Sequence, residues 1–298
     1  MPAFLTYLTA VERLSAHVHS LPQEFTRSLG EDLEYARFGA ALVELPWFGD
    51  WRSGLTAWLG RGAPPAFSRL MRERAPVALG LKAAELVSNG ALVGTEAGLA
   101  FVAGYFTQVC VSRALEPVMQ SLLMTHVRHG ESLLNSRHRI EWVQSLALMQ
   151  DLHGSAMVGT SAIRTKMQIR KASAAKGVGR GLYELMRVSC LEAIGEAPLK
   201  SHVDAWARGM YLFAAALSSP LGGLKARGGG HASQRELYRG PGVDVFATLD
   251  RGLDATRDVL TVLGGMIRRN NFGARSKAKL YEVCPEGSPE QVTKASAA

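Results

Sequence analysis

GYFTQVCVSRALEPVM, residues 104–119, has the composition of a buried helix, dominated by Phe, Val, Cys, Ala, Leu and Met. Within it Gln108, Ser112 and Glu116 stand four residues apart. On an α-helix, positions i, i+4 and i+8 share one face, with a drift of about 40° per step. Three polar groups pointing into a dry core would each need a partner or cost on the order of a few kcal/mol. The row therefore lines a wet pocket between helices or forms a solvated stripe.

Outward from this stretch, helical periodicity recurs and strand alternation is almost absent. Leu5, Leu8, Val11 and Leu14 mark a first amphipathic helix; EDLEYARFGAALVEL gives another, stopped by Pro46. PVALGLKAAELVS ends at Asn89-Gly90. A long helix is expected between Thr95 and Gly130, kinked at Pro117. The next runs to Gly154, with Ser136 as its N-cap. SAIRTKMQIRKAS, GLYELMRVSCLEAIG, KSHVDAWARGMYLFAAAL and the stretch from Val243 to Asn271 all read as helix. The expectation is an all-α multi-helix bundle, one domain over residues 1–273, with a Gly-rich basic loop at 219–242 and a flexible tail at 274–298.

The 298 residues are 47% hydrophobic and 7% aromatic, with a formal net charge of +8. Basic charge suits an anionic ligand or surface, but the interleaved aromatics of a base-stacking surface are missing. Cys110, Cys190 and Cys284 are widely spaced, odd in number and without a CxxC, which argues against a disulfide scaffold or a structural zinc site. The first residues lack the pattern of a secretory leader, and the most apolar window, 91–115, carries Glu96, Gln108 and Arg113. A cytoplasmic protein without a transmembrane segment is expected.

Four segments, in order, resemble the zinc-dependent phospholipase C family of bacteria. GYFTQVCVSRALEP is similar to that family's Gly-Tyr-x-x-His-x-x-x-Asp-x-x-x-His-Pro. YARFGAALVELPWF, residues 35–48, resembles Ala-Arg-x-Gly-x-x-x-Pro-Asp-x-Pro-Tyr-Phe, and HRIEWVQSLALMQDLHG, residues 138–154, resembles His-Arg-x-x-Glu-x-x-Gln-Ser. FLTYL resembles a Thr-His-Leu start. The resemblance covers roughly the first 155 residues. It implies an all-α fold of the phospholipase C/P1 nuclease type, with zinc between helices activating water against a phosphodiester. Nearly every ligand position departs from the pattern: Tyr7 replaces His, Glu44 replaces Asp, Gln108, Ser112 and Glu116 replace His, Asp and His, and Met149 stands where a further His is expected. Carboxamide and hydroxyl groups are poor zinc ligands. The resemblance thus implies a polar pocket of Tyr7, Glu44, Gln108, Ser112 and Glu116, with no metal ligands assigned and no cofactor.

Other constellations point elsewhere. Arg164, Lys166, Arg170 and Lys171 concentrate positive charge that would face phosphates or solvent. KGVGRG, residues 176–181, follows no strand and lacks the Gly-Lys-Ser/Thr ending, so it reads as a joint between helices. His126 and His129 suit a helix C-terminus, His153 a cap, and His231 a flexible acid–base position; His138 is either a surface residue or a partner of the pocket. The leading expectation is a non-catalytic binding or scaffolding protein with a degenerate zinc site, a pseudoenzyme with a protein partner or an anionic ligand. The alternatives are an active metal-dependent phosphoester hydrolase using zinc at an altered site with Glu44 and Glu116, and a basic adaptor for nucleic acid or anionic membrane.

Overall fold

The computed structural model describes residues 4–49, 65–90, 93–127, 129–154, 157–167, 173–174, 177–220 and 236–286. The helices are α1 (Phe4–Ala16), α2 (Gln23–Glu31), α3 (Leu33–Ala41), α4 (Ala66–Glu73), α5 (Pro76–Ser88) and α6 (Thr95–His126). There follow α7 (Leu133–His153), α8 (Ser161–Met167), α9 (Arg180–Ile194), α10 (Lys200–Leu217), α11 (Val245–Arg268) and α12 (Ala274–Val283). Among the described residues the only strands are two antiparallel pairs of two-residue strands, Ser173–Ala174 with Gly177–Val178 and Arg239–Gly240 with Val243–Asp244. The protein is all-α, as the periodicity predicts.

Helix α6 is the axis. Every residue from Ala97 to Val111 is buried, so this half is apolar on all sides and enclosed on all sides. It is long and apolar enough to cross a membrane, but 78% of its most apolar window lies inside the protein, which makes it a core helix. Beyond Val111 burial becomes partial, and the helix continues through Pro117 to His126. Its principal neighbours are α3 and α11.

The approach to α3 is unusually close, and glycine permits it. A Cβ on Gly104 would lie 1.8 Å from the Ala36 carbonyl oxygen, and one on Gly39 would lie 2.0 Å from that of Phe101. On another side a Cβ on Gly252 of α11 would come within 2.8 Å of the Val111 Cα. The 3-10 turn Leu45–Phe48, which follows α3, meets α10 in the same manner: a Cβ on Gly209 would lie 1.8 Å from the Phe48 oxygen.

Three local expectations are corrected. The N-cap of α7 is Ser132, whose hydroxyl accepts a bond from the Asn135 amide at 3.2 Å. Ser136 lies one turn inside and donates to the Glu131 carboxylate at 2.7 Å. Gly154 does stop the helix, in the left-handed region with φ 70°. Residues 274–286 are not a loose tail: α12 inserts Leu280 into the core, Cys284 is buried behind it, and the Glu286 carboxylate accepts from the amide of Val77 at 3.1 Å and from that of Ala78. A carboxylate at a helix N-terminus satisfies orphan amides and the helix dipole together. Residues 287–298 lie outside the described residues, as do 221–235 of the Gly-rich loop. The end of that loop is anchored, since Leu237 and Tyr238 are buried and Gln144 Nε2 donates to the Leu237 carbonyl at 3.0 Å.

The close crossing gives a test. Gly104→Ala should lower stability by about 3 kcal/mol, because a methyl group cannot share space with a backbone carbonyl without moving a helix. Gly30→Ala, at a position with nothing within 4 Å of the new methyl, should stay within about 1 kcal/mol of the parent. Urea denaturation of both variants reads the difference.

Candidate functional site

The half-buried part of α6 carries the polar row. Gln108, Ser112 and Glu116 line a cavity of about 510 Å³, together with Val43, Met71 and Arg72 from the α3–α4 side and Arg113, Pro117 and Arg137. Beyond Ser112 and Glu116 lies a second cavity of about 20 Å³, bounded also by Thr6, Tyr7, Glu141 and Gln144. Its volume and polar walls suit one water molecule. The row is a wet wall between helices, not a solvated stripe.

The structure brings the five sequence-predicted residues to this region. Tyr7 is buried and faces Ser112, and burial above all raises its pKa, so it stays a neutral phenol. Gln108 is 3% exposed, and its Oε1 has no hydrogen-bond partner. Glu44, at the head of the 3-10 turn, is fully buried and forms an ion pair with Arg72. Glu44 lines neither cavity itself but joins the larger one through that arginine. Glu116 receives a two-pronged bond from Arg137, Nη1 to Oε1 at 3.0 Å and Nη2 to Oε2 at 2.6 Å, and a third bond from Gln120 at 2.6 Å.

Arg137 also donates through Nε to Glu141 at 3.0 Å. Burial opposes the charge on both carboxylates, yet Glu116 and Glu141 are held below the usual carboxylate range. For Glu116 the Arg137 bonds do this; for Glu141 it is surrounding positive charge, the N-terminal ammonium first and Arg137 next. Burial would likewise lower Arg137, but its two carboxylate partners raise its pKa instead. Such forked, charge-assisted bonds fix geometry as well as charge.

Arg72 and Arg137 are the residues that sequence reasoning missed. Their presence decides whether a zinc ion suits the site. The donors are a phenol, a carboxamide, a hydroxyl and two carboxylates already bound by guanidinium groups. Zinc asks for imidazole, thiolate or free carboxylate, and a cation at Glu44 or Glu116 would sit beside a fixed positive charge. Among the described residues no three His, Cys, Asp or Glu side chains form a metal-binding group. These residues do not fit zinc.

His138 belongs to the core rather than to the surface. It packs edge-on against Trp47, with ring centroids 5.4 Å apart, and burial above all pushes its pKa down to about 4. Of the expected basic cluster, the two described residues are both engaged within the protein. Lys166 is 4% exposed and donates to Glu12 at 2.6 Å and to His153 Nε2 at 2.9 Å, while Arg37 holds the other Glu12 oxygen at 2.9 Å. Burial lowers its pKa, and Glu12 keeps it paired. Arg164 lies over the Tyr211 ring and donates to its hydroxyl at 2.7 Å. Arg170 and Lys171 lie outside the described residues, as does His231.

Comparison with protein-family models, with curated proteins and with solved structures finds no match for this chain.

The buried imidazole makes stability depend on pH. His138 titrates near 6.5 when unperturbed and near 4 in the fold, so the unfolded chain binds the proton first. Its contribution is complete above about pH 6.5 and declines as pH falls toward 4. His153 is also lowered, by burial and then by Lys166, and adds in the upper part of this window. In urea titrations at pH 7 and pH 4.5, His138→Gln should lose less stability between the two pH values than the parent does. Equal losses would show that His138 does not carry the dependence.

Proposed function

We propose that this chain is a zinc-phospholipase-C-like all-α protein whose metal site has been replaced by arginine–carboxylate pairs, and that it works by binding or scaffolding instead of by hydrolysis. The observation that carries this reading is the pairing of Glu44 with Arg72 and of Glu116 with Arg137. The two carboxylates of the row that would suit a cation each already have a fixed cationic partner. The positive charge that metal ions would supply between the helices is supplied by side chains.

Chemistry follows from the substitution. A guanidinium can orient an anionic group and stabilise charge on it, but it does not lower the pKa of a bound water as a metal ion does. Tyr7, held as a phenol, and Ser112 offer hydrogen bonds and no base. What remains is a cavity with apolar walls at Val43, Met71 and Pro117, the carboxylates of Glu73 and Glu116, the paired Arg72 and Arg137, and Arg113 as the arginine with no carboxylate partner among the described residues. Such a lining suits recognition of a small anionic ligand, or of an acidic side chain presented by a protein partner. The same reading keeps the chain in the cytoplasm. A basic adaptor for nucleic acid or membrane has less support, because Lys166 is spent on Glu12 within the fold.

Elemental analysis of protein purified without chelator, followed by an assay on bis(p-nitrophenyl) phosphate with added zinc, tests the proposal. The expected result is no stoichiometric zinc and no turnover above buffer. Stoichiometric zinc, with turnover abolished in a folded Glu116→Ala variant, would overturn it in favour of a hydrolase with an altered metal site.

A further inference from the structure

Of the three arginines in the cavity wall, Arg72 and Arg137 are bound to carboxylates, but Arg113 has no carboxylate partner among the described residues. Its Nη1 donates instead to the sulfur of Cys284 at 3.1 Å, and its Nη2 is buried without a partner. Cys110 precedes Arg113 by three residues on α6, so both side chains lie on the face over which Cys284 sits. Cys110 and Cys284 each shift the other's titration, as thiols close together on this face do. Both sulfurs are reduced and buried, at 4% and 3% exposure.

This is more than the packing of two small apolar groups. A thiol beside a guanidinium gains thiolate character, and a second thiol within reach can resolve an oxidised sulfur. Here the roles are unequal. The Cys110 S–H and Arg113 draw Cys284 below the ordinary thiol range although burial opposes this, whereas Cys110 is raised by Cys284 and by burial and keeps its proton. Cys190 has no such partner; burial alone pushes it up to about 12.

Access is also unequal. Cys284 is the C-cap of the ten-residue helix α12, within which only Leu280 is buried, so this segment opens more easily than α6 does. Arg113 itself lines the cavity, which brings water and small solutes to within one side chain of the Cys284 sulfur.

We infer that Cys284 and Cys110 form a redox-responsive pair, in which hydrogen peroxide oxidises them to a disulfide that fastens the C-terminal helix to the central one. The Cys284 thiolate attacks one peroxide oxygen, the O–O bond breaks, and the departing hydroxide takes a proton to become water. The Cys284 sulfenic acid that results is attacked by the Cys110 sulfur. The S–O bond breaks, and the leaving hydroxide takes the Cys110 proton as a second water. Two thiols lose two electrons and one peroxide gains them. Fixing Cys284 also fixes Glu286, two residues on, against the start of α5, where Pro76 borders the cavity. This inference does not depend on the binding function proposed above.

The test uses the full chain, purified reduced, desalted and exposed to hydrogen peroxide. Mass spectrometry should show loss of two hydrogens, a Cys110–Cys284 cross-linked peptide, reversal by dithiothreitol, and Cys190 still alkylatable. In Cys110→Ser, dimedone should trap Cys284 as its sulfenic acid. Arg113→Gln should slow the oxidation by about tenfold, and Arg113→Lys should restore most of the rate. Should the Arg113 variants misfold, the parent's pH–rate profile gives the same information. Oxidation should already be near its plateau at pH 8, whereas an unassisted thiol gains rate through about pH 8.5. Cysteines that stay alkylatable under peroxide sufficient to oxidise glutathione, a cross-link through Cys190, or a rate indifferent to the charge at position 113 would each overturn the inference.

Discussion

Two helix backbones meet where α3 crosses α6, and the molecule is arranged around that contact. With no side chain at Gly39 or Gly104, the carbonyls of Ala36 and Phe101 occupy the space that Cβ atoms would take. Dispersion and packing energy depend steeply on such separations. Residues Ala97–Val111 consequently disappear into the core on every side. The turn after α3 is set down against α10 and carries Glu44 at its head. A glycine pair thus determines where a fully buried carboxylate sits, before any polar interaction is considered.

Burying that carboxylate would be prohibitive if it stood alone. A charge removed from water needs a partner of opposite sign and good geometry, and even then the net gain is small. The protein meets this requirement twice with guanidinium groups, Arg72 on Glu44 and Arg137 on Glu116 and Glu141, and once more remotely with Lys166 and Arg37 on Glu12. Planar, permanently charged arginine suits the first two sites because it can serve two acceptors from one fork. The pairs leave the cavity wall polar without leaving it available to cations.

Much of this architecture was legible in the sequence, and the failures have physical causes. Helix α6 was evident because an all-round apolar run of that length has few other fates. The i, i+4, i+8 spacing placed Gln108, Ser112 and Glu116 on one wall. The guanidinium partners were not legible, because Arg72 and Arg137 lie 28 and 21 positions from their carboxylates. Only packing brings them together. Lys166 looked like one charge in a basic run, yet its partner, Glu12, is 154 positions away. Ser132 and Ser136 both suit an N-cap, and the choice between them rests on Glu131 taking the second hydroxyl. The terminal helix α12 shows hardly any apolar periodicity and is held by Leu280, Cys284 and Glu286.

That last attachment bears on how the chain reaches its final form. The first amides of α5 are satisfied by a carboxylate 209 positions later in sequence. During synthesis, α5 emerges long before its cap exists, so those amides must be hydrated until Glu286 arrives. Contacts of such high sequence separation form late, after the entropy of closing the intervening loop has been met. The start of α5 is therefore complete only when the far end of the chain is in place, so damage to the last turn of α12 reaches the first turn of α5.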